Sequence, residues 1–171
     1  SAAEVQGTGN TKIELDGQNV LDSSKCVFWA GLSKKGSGNL TITDETSDKG
    51  ETITAKEETE TSGSLRAEGG CYRGPSLSGG AAAIGGSWGQ ATDNITIEGY
   101  ATVKANTKDN NGAGIGGGAG AKGSNITIQG HANVTADGGK TGAGIGGGST
   151  GTSCDGDAEN IIIQGYSKVT A

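Results

Sequence analysis

The strongest constraint on the fold is an internal repeat with an interval of about 31 residues. One unit runs GAAAIGGSWGQATDNITIEGYATVKAN from Gly80 to Asn106. A second runs NGAGIGGGAGAKGSNITIQGHANVTAD from Asn111 to Asp137, and a third occupies Thr141 to Ala171. The third carries an insertion near Ser153-Cys154-Asp155-Gly156-Asp157. The isoleucines Ile84, Ile115 and Ile145 mark one position of the repeat, and Ile95, Ile126 and Ile161 mark another.

Each unit reads as a glycine segment followed by two strands. In Asn94-Ile95-Thr96-Ile97 apolar and polar residues alternate with period two, which sends Ile95 and Ile97 inward and Thr96 outward. After Gly99 the pattern resumes with Ala101, Val103 and Ala105 inward. Ile84, Ile115 and Ile145 give the third side one inward residue per unit. Helical spacing is absent. A single unit cannot bury its apolar face, but stacked units place Ile on Ile and Val on Val about 4.8 Å apart. These patterns predict an all-β fold, a parallel β-helix of about 31 residues per coil. The crossover preference of parallel strands gives it a right-handed sense.

The N-terminal stretch is less regular. Lys12-Ile13-Glu14-Leu15 and Asn39-Leu40-Thr41-Ile42-Thr43 resemble the first strand, and Thr52-Ile53-Thr54-Ala55 resembles the second. Cys26-Val27-Phe28-Trp29-Ala30 is the most apolar stretch and is expected in the core or on an end. The reading is one solenoid domain over 1–171, with irregular coils over 1–79, regular repeats over 80–171, and five or six coils in all. It looks like a segment of a longer protein with further domains attached.

Composition fits a narrow core. The chain has 35 Gly and one Pro, and 31% hydrophobic residues are too few for a wide interior. The net charge of -6, with Lys34-Lys35 as the only basic pair noted, argues against a nucleic-acid partner. No apolar run reaches membrane-spanning length, so bilayer insertion is not expected. Cys26, Cys71 and Cys154 have no metal-knuckle spacing; one disulfide with a free thiol, or three buried thiols, both fit.

Repetition gathers equivalent residues into columns. Asn94, Asn125 and Asn160 form one, read as a hydrogen-bonded corner ladder. The sequons at Asn94, Asn125 and Asn133 are read as by-products of the repeat and not as glycosylation sites. Tyr100, His131 and Tyr166 form another column. Facing outward, these rings would make a platform for sugar C–H faces, with Glu98, Gln129 and Gln164 beside them to hydrogen-bond hydroxyls. Stacking that only stabilises a corner is the competing reading. Trp88 stands where the other units have Ala119 and Ser149, so it is either a ligand contact or a cap on the irregular half. Asn106, Asp109, Asp137, Asp155 and Asp157 supply oxygen donors in loops, which makes them calcium candidates. A lone His131 and only Arg66 and Arg73 as arginines leave little for a catalytic triad or a lyase, so the chain is not expected to be an enzyme.

The elements Gly-Ala-Gly-Ile-Gly-Gly-Gly, Asn-Ile-Thr-Ile-x-Gly and Val-Thr-Ala resemble a repeat common in large cell-surface and secreted proteins of Gram-positive bacteria. They are also similar to a family of calcium-containing, carbohydrate-binding right-handed parallel β-helices shaped like pectate lyases. The match covers Gly80 to Ala171. None of that family's metal ligands maps onto a residue here. The resemblance implies an extracellular or cell-surface module that binds polysaccharide or glycan, with calcium as the implied cofactor. A purely structural stalk or adhesin segment is the alternative.

Overall fold

The computed structural model describes residues 1–45, 63–73, 78–108, 110–151 and 156–171. Among them there is no helix, and every turn of the chain contributes three short strands. The first coil comprises β1 (Ala3–Val5), β2 (Thr11–Glu14) and β3 (Gln18–Asp22). The second comprises β4 (Leu32–Lys34), β5 (Leu40–Asp44) and β6 (Ser64–Glu68). A small antiparallel hairpin follows, β7 (Cys71–Arg73) with β8 (Ser78–Gly80). The third coil is β9 (Ile84–Gly85), β10 (Ile95–Gly99) and β11 (Thr102–Asn106). The fourth is β12 (Ile115–Gly116), β13 (Gly123–Ile128) and β14 (Asn133–Asp137). The fifth is β15 (Ile145–Gly146), β16 (Ala158–Ile163) and β17 (Lys168–Thr170).

Equivalent strands of successive coils pair in parallel, giving three five-stranded sheets: β1-β4-β9-β12-β15, β16-β13-β10-β5-β2 and β17-β14-β11-β6-β3. The registers are those the repeat dictates. Ile95 faces Ile126 and Leu40, Val103 faces Val134 and Leu65, and Ile115 faces Ile84 and Ile145. The core is a set of such columns. Leu40, Ile42, Ile95, Ile97, Ile115, Ile126 and Ile128 are all completely buried. Each such side chain contributes about 1.5–3 kcal/mol by leaving water, and each coil has only a few of them.

The interior is narrow enough that backbone packs on backbone. Gly116 has φ 138°, and a methyl group there would lie 1.9 Å from the Gly146 carbonyl oxygen. No L side chain fits either constraint. The corner before the second sheet uses a different device. Asn94, Asn125 and Asn160 adopt φ of 54°, 50° and 53°, the left-handed region that Asn tolerates better than most residues. Their amides form a ladder: Asn125 Nδ2 donates to Asn94 Oδ1 at 3.2 Å, and Asn160 Nδ2 donates to Asn125 Oδ1 at 2.9 Å. The ladder expected from the sequence is therefore present. It extends into the irregular half, where Asn94 Nδ2 donates to the Ser37 carbonyl and the Asn39 amide donates to Asn10 Oδ1.

Two expectations for the irregular half change. The strand that follows β5 in the third sheet is Ser64–Glu68. Thr52–Ala55, read above as that strand, lies outside the described residues. Cys26–Ala30 is not a core segment: only Ala30 is fully buried, while Val27 and Trp29 are each 44% exposed. The segment links β3 to β4 on the outside of the stack, and its bulk is too large for an interior built from Ala and Ile columns.

Two stability tests follow from this packing. Ile97→Ala should lower the unfolding free energy in urea by about 2–5 kcal/mol, while Thr96→Ala, one residue away on the outer face, should stay within about 0.5 kcal/mol. Asn125→Ala should be worse than Asn125→Gly by about 1 kcal/mol, because both lose the ladder but only alanine is strained at positive φ.

Candidate functional site

The outer face of the second sheet and the corner that follows it gather most of the residues singled out as ligand contacts. β10, β13 and β16 are in register, so Glu98, Gln129 and Gln164 fall at one height in successive coils. Each is followed by a glycine with φ of 65°, 70° or 74°, and the turn this permits carries the next side chain round the corner. That next residue is Tyr100, His131 or Tyr166. The turn is locked by His131 N–H to the Gly99 carbonyl and Tyr166 N–H to the Gly130 carbonyl, both 2.8 Å.

The three rings stack. Tyr100 and His131 have centroids 4.8 Å apart and an interplanar angle of 6°, and His131 and Tyr166 are 5.1 Å and 12°. Such contacts contribute about 0.5–1.5 kcal/mol each. The column is thus a pile of rings and not a tiled floor. Both faces of His131 are covered by its neighbours. Tyr166, at the end of the pile and 79% exposed, keeps one face open.

Beside the rings runs a second ladder. Gln129 Nε2 donates to Glu98 Oε2 at 2.6 Å, and Gln164 Nε2 donates to Gln129 Oε1 at 2.8 Å. An amide has two N–H donors and a carbonyl with two lone pairs, so each rung keeps hydrogen-bonding capacity for a ligand. These side chains, with Gly99, Gly130, Gly165 and Glu45, line an open groove of about 420 Å³ along the stack. Glu45 was not singled out from the sequence. Aligning Asn39–Thr43 on Asn94–Glu98 puts it in the position of Tyr100, which is the signal that was present. Lys12 donates to Glu45, and that hydrogen bond, aided by the charges of Glu45, Glu14 and Glu98, holds the ammonium above its ordinary pKa.

Trp88 lies elsewhere. Its indole stacks on Phe28 at 4.7 Å and 16°, and Phe28 leans on Tyr72 at 5.4 Å. Gly79 of the hairpin sits directly under the indole, close enough that a Cβ there would be 2.9 Å from Nε1. Trp88 thus packs against the irregular half through Phe28, and it remains 38% exposed. Its partner Phe28, and Tyr72 behind Phe28, could not be read from the repeat, because both belong to segments outside it.

Of the calcium candidates, Asn106, Asp137 and Asp157 are among the described residues. Asn106 and Asp137 are register partners at the ends of β11 and β14. However, Asn106 Oδ1 already accepts the Lys108 amide at 2.6 Å. On the coil below, the buried carboxylate of Glu68 already receives Lys108 Nζ at 2.7 Å, together with Arg66. Asp157 precedes β16 at the opposite end of the second sheet, where its carbonyl accepts the Gly123 amide. Asp109 and Asp155 lie outside the described residues. Among the described residues no three His, Cys, Asp or Glu side chains come together as a metal site.

No family model, curated protein or solved structure matches this chain.

Removing the middle ring tests the stack. His131→Ala should lower stability by about 1–3 kcal/mol, since it breaks two ring contacts, whereas Tyr166→Ala, with one contact and 79% exposure, should cost about half as much. Thermal melts of the two variants check the ordering.

Proposed function

We propose that the chain is a right-handed parallel β-helix acting as a non-catalytic glycan-binding module, secreted or displayed at a cell surface. The observation that carries this reading is the groove on the second sheet, where a carboxylate–amide ladder runs beside stacked rings at coil spacing. A glycan chain laid along the stack meets a repeated set of acceptors and donors for its hydroxyls. The open face of Tyr166 supplies an aromatic surface on which a sugar ring can lie. The right-handed sense rests on the strong preference of parallel crossovers.

The charge of the groove narrows the ligand. Glu45 and Glu98 both line it, and the chain carries -6 overall. Uncharged glycans are favoured, because carboxylates accept hydroxyl hydrogen bonds strongly while repelling uronates and sulfates. Acidic polymers would need a bridging cation such as calcium. A binding role, and not a catalytic one, is supported by the commitments of the two carboxylates: Glu98 is held by Gln129 and Glu45 by Lys12.

A structural stalk is the second reading, and the coverage of both His131 faces favours it. A glycan array followed by calorimetry separates the two, using neutral mucin-type glycans and polygalacturonate, with and without calcium. The binding reading predicts affinity for a neutral glycan that falls about tenfold or more in Gln129→Ala and in Tyr166→Ala, a loss of about 1.4 kcal/mol or more per contact. Circular dichroism of both variants should be unchanged. Absence of binding to every polymer tested leaves the stalk.

A further inference from the structure

The outer face of the third sheet carries a groove that the glycan reading does not use. Strands β3, β6 and β11 stack there in register, so two outward columns run side by side across three coils. One column is Gln18, Ser64 and Thr102, and the other is Val20, Arg66 and Lys104. Between them lies a groove of about 350 Å³, lined by these six residues together with Asn19 and Leu65. One wall therefore offers an amide and two hydroxyls. The other offers two exposed cations beside an apolar side chain.

The charges of the second wall are not balanced. Arg66 and Lys104 are direct register partners, and like charges facing each other across strands destabilise a sheet. The buried carboxylate of Glu68 is the nearby counter-charge, but it receives both Arg66 and Lys108. Among the described residues, Lys104 has neither an ion pair nor a hydrogen bond. The Arg66 guanidinium spends one N–H group on Glu68 and keeps others for a ligand. An unpaired cation next to a second cation is a local exception in a chain of net charge -6.

We propose that this groove binds an acidic sugar, with its sulfate or carboxylate group between Lys104 and Arg66 and its hydroxyls on Gln18, Ser64 and Thr102. An anion there relieves the repulsion between the two cations and accepts charge-assisted hydrogen bonds from both. Arg66 supplies a planar set of donors, and Lys104 supplies a point charge on a flexible stem. A neutral sugar would leave Lys104 unpaired, and a bare inorganic anion would leave the hydroxyl wall unused. The cations are the protein's own, so no bridging metal takes part. The groove on the second sheet, lined by Glu45 and Glu98, repels the ligand that this one attracts. This inference rests on the third sheet alone and stands whether or not the other groove binds a glycan.

Nuclear magnetic resonance titrations of the isotope-labelled chain, in the presence of a chelator, test it with a sulfated galactose, glucuronate, galactose and inorganic sulfate. An acidic sugar should shift the backbone amides of Arg66, Thr102 and Lys104 and bind more tightly than galactose or inorganic sulfate. Added salt should weaken it. A response to one acidic sugar and not the other supports the site and identifies the anion as sulfate or carboxylate. Lys104→Gln should weaken binding about tenfold, the worth of one hydrogen bond to a charged group, and Lys104→Arg should retain it. Lys104 is exposed, so both variants should keep the β signal in circular dichroism. No shift with either acidic sugar would overturn the proposal, as would unchanged binding by Lys104→Gln. Inorganic sulfate binding as tightly as the sulfated sugar would overturn the assignment to a sugar. Shifts confined to Glu98, Gln129 and Gln164 would overturn it too, and would speak for the other groove.

Discussion

The structure depends on one interaction, the parallel backbone pairing of each coil with the coil before it. All three sheets are made this way, and within a coil the three strands diverge to different sheets instead of pairing with one another. Pairing at a fixed interval forces every side chain to meet its own equivalent. The consequences are the Ile and Val columns inside, the Asn ladder at one corner, the Glu98–Gln129–Gln164 ladder on a face and the rings beside it. Glycine makes the pairing possible on the tightest side, where carbonyl groups occupy the space a Cβ would need.

This explains which parts were readable from the sequence. A column is legible whenever its members recur at the repeat interval. The inward Ile and Val positions, the Asn ladder and the vertical alignment of Tyr100, His131 and Tyr166 were all visible in this way. The orientation of the rings was not. Spacing shows that they lie above one another, but only geometry shows that they meet face to face. Where the chain departs from the repeat, alignment fails. The β6 strand sits beyond a long connection, and the hairpin β7–β8 has no counterpart in other coils. Phe28 reached Trp88, and Tyr72 reached Phe28, through those departures.

The two side-chain ladders differ in where they sit. The Asn94–Asn125–Asn160 ladder holds a corner at which its members take up positive φ. The Glu98–Gln129–Gln164 ladder runs along the outer face, and each Gln keeps one N–H and acceptor capacity beyond its rung. It also opens on a groove. The carboxylates at one end of that groove, Glu45 and Glu98, give it a polarity, since the later rungs carry Gln129 and Gln164.

Parallel stacking at the repeat interval can be tested most directly by nuclear magnetic resonance on labelled protein, through backbone contacts between strands. The account predicts contacts linking equivalent residues of successive coils, such as Ile97 with Ile128 and Val103 with Val134. Contacts that instead pair neighbouring strands of one coil in antiparallel fashion, β10 with β11, would contradict it.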